Sequence, residues 1–216
     1  MDPMEPVTLT TERLVLRPVD PGDADAVYEA AQDPDIQRWT TIPSPYLREH
    51  AESFTGGLAP DGWADGSMFT FGVFLPSGEL VGMVSQTMRA PGTAEVGFWA
   101  AKEHRGRGYL TEATLAACRW AFLSLSVDRV EWRAEVGNTA SRTVARKAGF
   151  IHEGTQRAAL TNRGVRRDCW QASLLPSDLG LPSKTPYIPA PQRGAGNGAS
   201  DHDEPAPADE RQPPGL

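Results

Sequence analysis

From Arg129 to Val136 the chain alternates without a break: Val130, Trp132, Ala134 and Val136 fall on one side, Arg129, Glu131, Arg133 and Glu135 on the other. Successive side chains of an extended chain point to opposite faces, so this run predicts a strand with one face on a core and one face wet. Asn138 then serves as N-cap of a helix from Thr139 to Ala148, which Gly149 stops. Upstream, Ala94 to Ala101 reads as a strand that is nearly continuously apolar after Glu95. Arg107 to Ser124 reads as a helix in which Leu110, Ala113, Ala117 and Ala121 recur at helical spacing. Strands 94–101 and 129–136 are expected to lie parallel, with the second helix opening beside them.

The flanking sequence supplies the remaining elements. Leu9 to Pro18 is a first strand. Asp20-Pro21 opens a helix with a capping carboxylate and a proline at the first helical position, and Ser44-Pro45 opens a second that ends near Gly56-Gly57. Phe69–Leu75 and Leu80–Met88 form a hairpin about Pro76-Ser77-Gly78-Glu79. Phe150–Leu160 and Val165–Leu175 form another about Thr161-Asn162-Arg163-Gly164. The order β-α-α-β-β-β-α-β-α-β-β describes a mixed α/β domain over residues 1–175. From Pro176 the chain carries 9 Pro and 5 Gly with few large aliphatics, a composition that cannot bury enough apolar surface to offset ordering, so 176–216 is expected to be a disordered tail.

Composition removes several classes of function. No run of about 20 apolar residues exists to cross a membrane, and the acidic start Met1-Asp2-Pro3-Met4-Glu5 argues against a signal peptide. Cys118 and Cys169 each stand alone in apolar surroundings, as core thiols of a cytoplasmic protein do. His50, His104, His152 and His202 form no spaced cluster, so no metal is expected. The net charge of −7 hides an asymmetry: residues 1–100 carry 5 Lys/Arg against 15 Asp/Glu, and residues 101–175 carry 13 against 7. Either the basic half meets an anionic ligand while the acidic half faces a cationic partner, or the charges simply cluster on solvated faces. Arg163, Arg166 and Arg167 make a basic edge, but without aromatic interleaving no nucleic-acid partner is expected.

Two segments carry chemistry. Between a strand and a helix lies Ala100-Ala101-Lys102-Glu103-His104-Arg105-Gly106-Arg107-Gly108-Tyr109-Leu110. Successive N–H groups at a helix N-terminus converge on an anion, and glycines let the backbone come close to a phosphate. A nucleotide-triphosphate loop needs Gly-Lys-Ser/Thr at its end, which Gly108-Tyr109-Leu110 lacks. The loop therefore suits a pyrophosphate held without metal, or is a glycine turn with surface arginines. One strand later, Asn138-Thr139-Ala140-Ser141 opens a helix that ends in Lys147-Ala148-Gly149-Phe150. Ser141, one turn in, can face whatever lies between the parallel strands.

Thr10-Thr11-Glu12-Arg13-Leu14-Val15-Leu16-Arg17-Pro18, Val96-Gly97-Phe98-Trp99 leading into Arg105-Gly106-Arg107-Gly108-Tyr109-Leu110-Thr111-Glu112-Ala113, and Asn138-x-x-Ser141 leading into Lys147-x-Gly149-Phe150 together resemble the GNAT acyltransferases. Within them they resemble the RimJ/RimL-like branch, which acetylates protein N-termini. The resemblance covers about residues 7–175. It implies acetyl-CoA as donor and a mixed central sheet of about six to seven strands with about four helices, two parallel strands splaying apart to admit pantetheine. It sets backbone groups of Phe98, Trp99 and Ala100 along the pantetheine amide and thioester, N–H groups of Arg105, Gly106, Arg107, Gly108, Tyr109 and Leu110 around the pyrophosphate, and Asn138 beside the cofactor arm. The tyrosine that many members use as acid corresponds to Ala145, so the Asn-x-x-Ser pattern points to Ser141 instead. Leu110 is bulkier than the small residue expected at the loop's sixth position.

Direct attack of a neutral amine on the thioester needs a base. Glu95, the only acid near the start of the cofactor strand, is nominated, acting directly or through water; its other reading is a surface carboxylate at a strand end. Glu153 is a weaker candidate, and Glu112 reads as a partner of the helix dipole. Lys147 either touches terminal phosphates of the cofactor or favours its helix C-terminus. Trp39, Tyr46 and Trp63 line an acceptor groove or pack in the core. The expected acceptor is a protein or peptide N-terminus, with a small amine of aminoglycoside or polyamine type as alternative and a non-catalytic acyl-CoA sensor as the rival from another class. The protein is expected as monomer or homodimer.

Overall fold

The computed structural model describes residues 5–190. One sheet organises them. Its strands are β1 (Leu9–Thr10), β2 (Val15–Arg17), β3 (Met68–Phe74), β4 (Leu80–Ala90), β5 (Thr93–Ala100), β6 (Arg129–Glu135), β7 (Ile151–Asn162) and β8 (Val165–Leu174). They lie in the order β1-β2-β3-β4-β5-β6-β8-β7. All neighbours are antiparallel except β5 and β6.

Eight strands replace the expected six to seven because the first strand is broken. Thr11 N–H donates to the Leu14 carbonyl at 2.9 Å and the Leu14 N–H donates to Thr11 Oγ1 at 3.1 Å, closing a turn inside Leu9–Pro18. The helices also outnumber the four expected: α1 (Ala24–Ala31), α2 (Pro34–Trp39), α3 (Arg48–Ser53), α4 (Ala59–Asp65), α5 (Tyr109–Ser124) and α6 (Thr139–Lys147). Asp20 caps the 3-10 turn before α1 by accepting from Gly22 N–H. The short α2 has its own signal, Asp33 capping Asp35 N–H with Pro34 in the first turn. The second expected helix starts at Arg48 rather than Ser44. It does not stop at Gly56-Gly57, where a π turn (Phe54–Leu58) carries it into α4. There a Cβ on Gly56 would meet the Pro21 ring only at an ordinary contact distance of 3.8 Å, and one on Gly57 would meet nothing.

The sheet divides the apolar residues into two clusters. On one face, Val84, Ala94, Val96, Val130, Trp132 and Ala134 pack with Ala113, Ala117, Cys118 and Ala121 of α5 and Ala145 and Ala148 of α6. Against the other face, Val27 and Ala31 of α1 and Ala51 of α3 pack on Phe74, Leu80 and Met83, with Trp99 beside them. The strict alternation of 129–136 emerges as β6: Val130, Trp132 and Ala134 are buried and the four charged residues half-buried.

The compact unit runs on to Pro186, past the boundary drawn at 175. Pro176–Leu179 forms a 3-10 turn, Leu179 and Leu181 pack against the larger cluster, and Asp128 accepts the N–H groups of Lys184 and Thr185 at 2.7 and 2.9 Å. Most of the expected disordered tail, residues 191–216, lies outside the described residues.

Candidate active site

The site begins where β5 and β6 part. They pair only from Thr93 with Arg129 to Val96 with Trp132. Beyond that point β6 continues against β8 alone and Gly97–Ala100 continues against β4 alone. The backbone edge of Gly97, Phe98, Trp99 and Ala100 that would meet β6 therefore has no strand partner, and a wedge opens between the two chains. Phe98 lies half-buried toward α5, while Trp99 lies toward α1 on the other face.

At the end of β5 the chain turns through Lys102–His104 and then makes an anion nest. Gly106 and Gly108 hold φ of 77° and 81°, left-handed values that favour glycine, and Gly108 is the N-cap of α5 without a side-chain cap. Among the described residues the N–H groups of Gly106, Arg107, Gly108, Tyr109, Leu110 and Thr111 have no backbone acceptor; the first helical bond runs from Glu112 N–H to the Gly108 carbonyl. Consecutive donors at the positive end of a sixteen-residue helix present a ready anion site. Leu110 does not fill this nest. It is buried and reaches Gly82 of β4, where an added Cβ would lie 3.1 Å from Leu110 Cδ2 and 2.3 Å from the Trp99 carbonyl oxygen. Lys147 joins Thr11, Arg13, Gly108, Thr111 and Leu115 around an open pocket of about 420 Å3 beside the nest.

A hub braces the nest. Glu112 accepts Thr11 Oγ1–H at 2.6 Å, Arg13 N–H at 3.1 Å and Arg13 Nε–H at 2.7 Å, and Arg13 Nη1 also donates to the Arg107 carbonyl at 3.1 Å. Partial burial pushes the Glu112 pKa up, but the hydrogen bonds from Thr11 and Arg13 outweigh it and hold the carboxyl below its usual range. Glu112 is thus a tie between α5 and the β1–β2 turn, more than the dipole partner expected. The Arg105 side chain is also committed, to Asp33 at 3.1 Å and Asp35 at 3.2 Å, and its N–H donates to the Lys102 carbonyl at 3.3 Å; the nest therefore begins at Gly106, and Arg105, expected to offer its N–H to the pyrophosphate, does not join it.

At the end of β6, Asn138 caps α6 by accepting Ser141 N–H at 3.2 Å, and its amide nitrogen has no partner among the described residues. Ser141 Oγ accepts the Trp132 indole N–H at 2.9 Å. Ala145 is buried in the core and offers nothing to the wedge. Glu95 lies one residue short of the fork, on the face opposite α5 and α6, in register with Glu131. Arg89 Nε donates to Glu95 Oε2 at 3.0 Å and Arg133 lies 4.0 Å from the same oxygen, while Oε1 has no partner among the described residues. Glu153, by contrast, gives both oxygens to Arg129, at 2.9 and 2.7 Å, and accepts Ser173 Oγ–H at 2.7 Å. These bonds, Arg129 foremost, hold its carboxyl below its usual range and engage both of its oxygens.

A strap spans the open mouth. The Asp33–Arg105 and Asp35–Arg105 ion pairs fix one end of α2 to the chain leaving β5. At the other end Arg38 donates twice to Glu135, at 2.9 and 2.7 Å, fixing it to the end of β6. Asn162 and Arg163 of the β7–β8 turn donate to the Arg38 and Gln37 carbonyls at 3.2 and 2.7 Å. Trp39 stacks under the Arg38 guanidinium at 4.2 Å and comes within 3.7 Å of the Cβ position of Gly137. Of the three aromatic groove candidates it alone stays at the mouth; Tyr46 and Trp63 are buried in the two cores. No spacing rule pairs residue 35 with 105 or 38 with 135, so sequence reasoning missed the strap, the hub and the Trp132 contact.

The thiols stand apart. Burial pushes Cys118 up to about 12 and also raises Cys169, so neither is a ready nucleophile at neutral pH. Among the described residues no group of three or more His, Cys, Asp or Glu side chains could hold a metal, and no helix is long and apolar enough to cross a membrane.

A family model described as Acetyltransferase (GNAT) domain matches residues 13–151, from the hub arginine through the fork to the start of β7. The chain belongs to the GNAT acetyltransferase family. It is 31% identical over 174 residues to the Bacillus subtilis protein named putative ribosomal N-acetyltransferase YdaF, covering 76% of this chain and 92% of the relative. Among solved structures, a putative ribosomal-protein-serine acetyltransferase from Vibrio cholerae superposes with a TM-score of 0.71 at 24% identity, covering 82% of this chain and 100% of that one. Mycobacterium smegmatis RimJ, solved in complex with CoA-disulfide, also gives 0.71 at 24% identity, over 82% and 90%. At that identity the two structures speak for the GNAT fold alone.

Proposed function

We propose that this GNAT acetyltransferase moves the acetyl group of acetyl-CoA directly to a primary amine, the α-amino group of a protein or peptide. The observation that carries the reading is the fork: a parallel pair that ends at Val96 and Trp132, with an anion nest at the end of one arm and a serine anchored beside the other. The nest fits a diphosphate, because its donors are main-chain groups at a helix N-terminus and its glycines leave room for close approach. Lys147, on the pocket beside the nest, supports the reading by offering a charge for a further phosphate. Acetyl-CoA supplies the activated thioester; the protein positions it and handles protons. A main-chain N–H on the unpaired edge of Phe98–Ala100 stabilises the developing oxyanion. Ser141 donates to the leaving sulfur from the α6 face, and Glu95 Oε1 takes the amine proton, directly or through water, from the other face, so the acetyl group crosses through the gap between donor and acceptor sides.

The acceptor assignment has a chemical reason. An α-amino group has a pKa of roughly 7.7–8.0 and lysine about 10.4, so an N-terminus needs little help to lose its proton near neutrality. The name of the Bacillus subtilis relative points the same way. The test is release of free thiol from acetyl-CoA with a panel of peptides having free or blocked N-termini, set against polyamines and aminoglycosides. Turnover on free-N-terminus peptides and none on blocked ones is expected; turnover confined to small amines would overturn the acceptor assignment and leave the transferase.

A further inference from the structure

Trp132 has a buried ring, only 2% exposed, and a single polar atom. A buried indole N–H needs an acceptor, and Ser141 Oγ supplies it at 2.9 Å. The consequence lies in the direction of that bond. An indole can only donate, so the serine oxygen accepts on that side and its own hydrogen is excluded from pointing back at the ring. Ser141 has no other side-chain partner among the described residues, its N–H being engaged by Asn138 at 3.2 Å, and the side chain is only half-buried. The ring is rooted where the wedge begins: Trp132 is the last β6 residue paired with β5, opposite Val96, and is flanked by Ala172 of β8. The serine oxygen is therefore tied to the floor of the fork while its hydrogen stays free.

We infer that Trp132 is a positioning residue for transfer: its indole N–H holds the Ser141 hydroxyl in the donor orientation and strengthens it as a donor. This deepens the proposed function and rests on Ser141 acting as the acid. In the step it serves, the amine nitrogen forms the C–N bond, the C–S bond breaks, and the electron pair leaves with sulfur. The amine proton passes toward Glu95, the sulfur takes a hydrogen from Ser141 Oγ, and water restores that hydrogen. The indole keeps its proton throughout. Accepting one hydrogen bond polarises the hydroxyl and makes it a better donor for the next, so the chain from indole to serine to sulfur runs in one direction.

A purely structural tryptophan would give the same core packing, so the test is a double-mutant cycle of Trp132→Phe and Ser141→Ala, with kcat and the acetyl-CoA KM measured at saturating peptide. Trp132→Phe keeps an aromatic ring and removes the donor. It should lower kcat about 3- to 10-fold, leave the acetyl-CoA KM within about twofold, and cause no further loss on the Ser141→Ala background. Equal losses on both backgrounds would overturn the inference, as would a Trp132→Phe protein at full rate beside a slow Ser141→Ala. A Ser141→Ala protein at full rate would overturn the acid assignment itself, a separate failure. Should Trp132→Phe not fold, the wild-type chain still decides. Among the six indole N–H resonances, the one displaced by Ser141→Ala should also move when coenzyme A is added, and an unmoved resonance would overturn the inference.

Discussion

The nucleotide arm of the wedge is built from main chain, whereas its acceptor mouth is built from long side chains. On the first, six consecutive N–H groups from Gly106 to Thr111 lack backbone acceptors among the described residues, and two glycines with positive φ set their direction. On the second, α2 is held across the opening by arginine–carboxylate pairs at both ends, Asp33 and Asp35 with Arg105 and Arg38 with Glu135. Backbone donors carry no titratable charge and keep their geometry as long as the helix stands. Ion pairs between half-exposed side chains weaken with salt and with protonation. The nucleotide arm should therefore be robust and general, and the acceptor mouth tunable.

The largest effect expected from breaking this contrast is at Gly108. With φ at 81° and Arg13 Nη2 3.6 Å from the Cβ position, Gly108→Val strains the turn by about 1–2 kcal/mol and misdirects the nest. Coenzyme A affinity should fall about 10- to 100-fold by calorimetry, and an unchanged affinity would remove the nest from the cofactor site. Next, Arg38→Ala releases one end of the strap and should raise the acceptor KM several-fold while calorimetry finds coenzyme A binding unchanged. A loss confined to coenzyme binding would instead assign α2 to the nucleotide arm.

The hub gives a pH prediction. The folded pKa of Glu112 lies below its ordinary value, so as pH falls the unfolded chain takes up the proton first. The stabilisation is fully present above the ordinary carboxylate range, about 4.3, and is lost as pH drops through it toward the folded value. Glu112→Gln should cost about 1 kcal/mol near neutrality and flatten the acid side of the melting-temperature profile; an identical acid limb would show that the hub does not titrate there. The smallest effect is at Lys147. This exposed lysine has no ion pair among the described residues, so Lys147→Ala should weaken coenzyme A by about two- to fivefold, less in high salt.

Much of the frame is written in local pattern. The alternation of 129–136 emerges as β6 because a half-buried strand must repeat every second residue. The loop glycines emerge at the start of α5, where Gly106 to Thr111 find no backbone acceptor among the described residues, whereas the Arg105 N–H, expected to join them, is taken by the Lys102 carbonyl. The broken first strand was not legible, since Thr11 turns the chain through hydrogen bonds to Leu14 that have no periodicity. Nor was the joining of α3 to α4, where Gly56-Gly57 looked like a stop and instead lies within a π turn that carries the helix on. In the site, Ser141, Asn138 and Glu95 could be nominated from pattern and resemblance, but their partners could not. Trp132 meets Ser141, and Arg89 and Arg133 meet Glu95, only through the sheet.

By itself the sequence determined where the chain extends, where it coils and where main-chain donors go unmatched, because these follow from periodicity and from the φ each residue tolerates. Only the tertiary structure decided that Glu112 meets Thr11 and Arg13, that Glu135 meets Arg38, and that a tryptophan at the last rung of the parallel pair holds the serine. Such contacts join residues distant along the chain and depend on a few ångströms of placement, which sheet order and twist establish and local pattern does not encode.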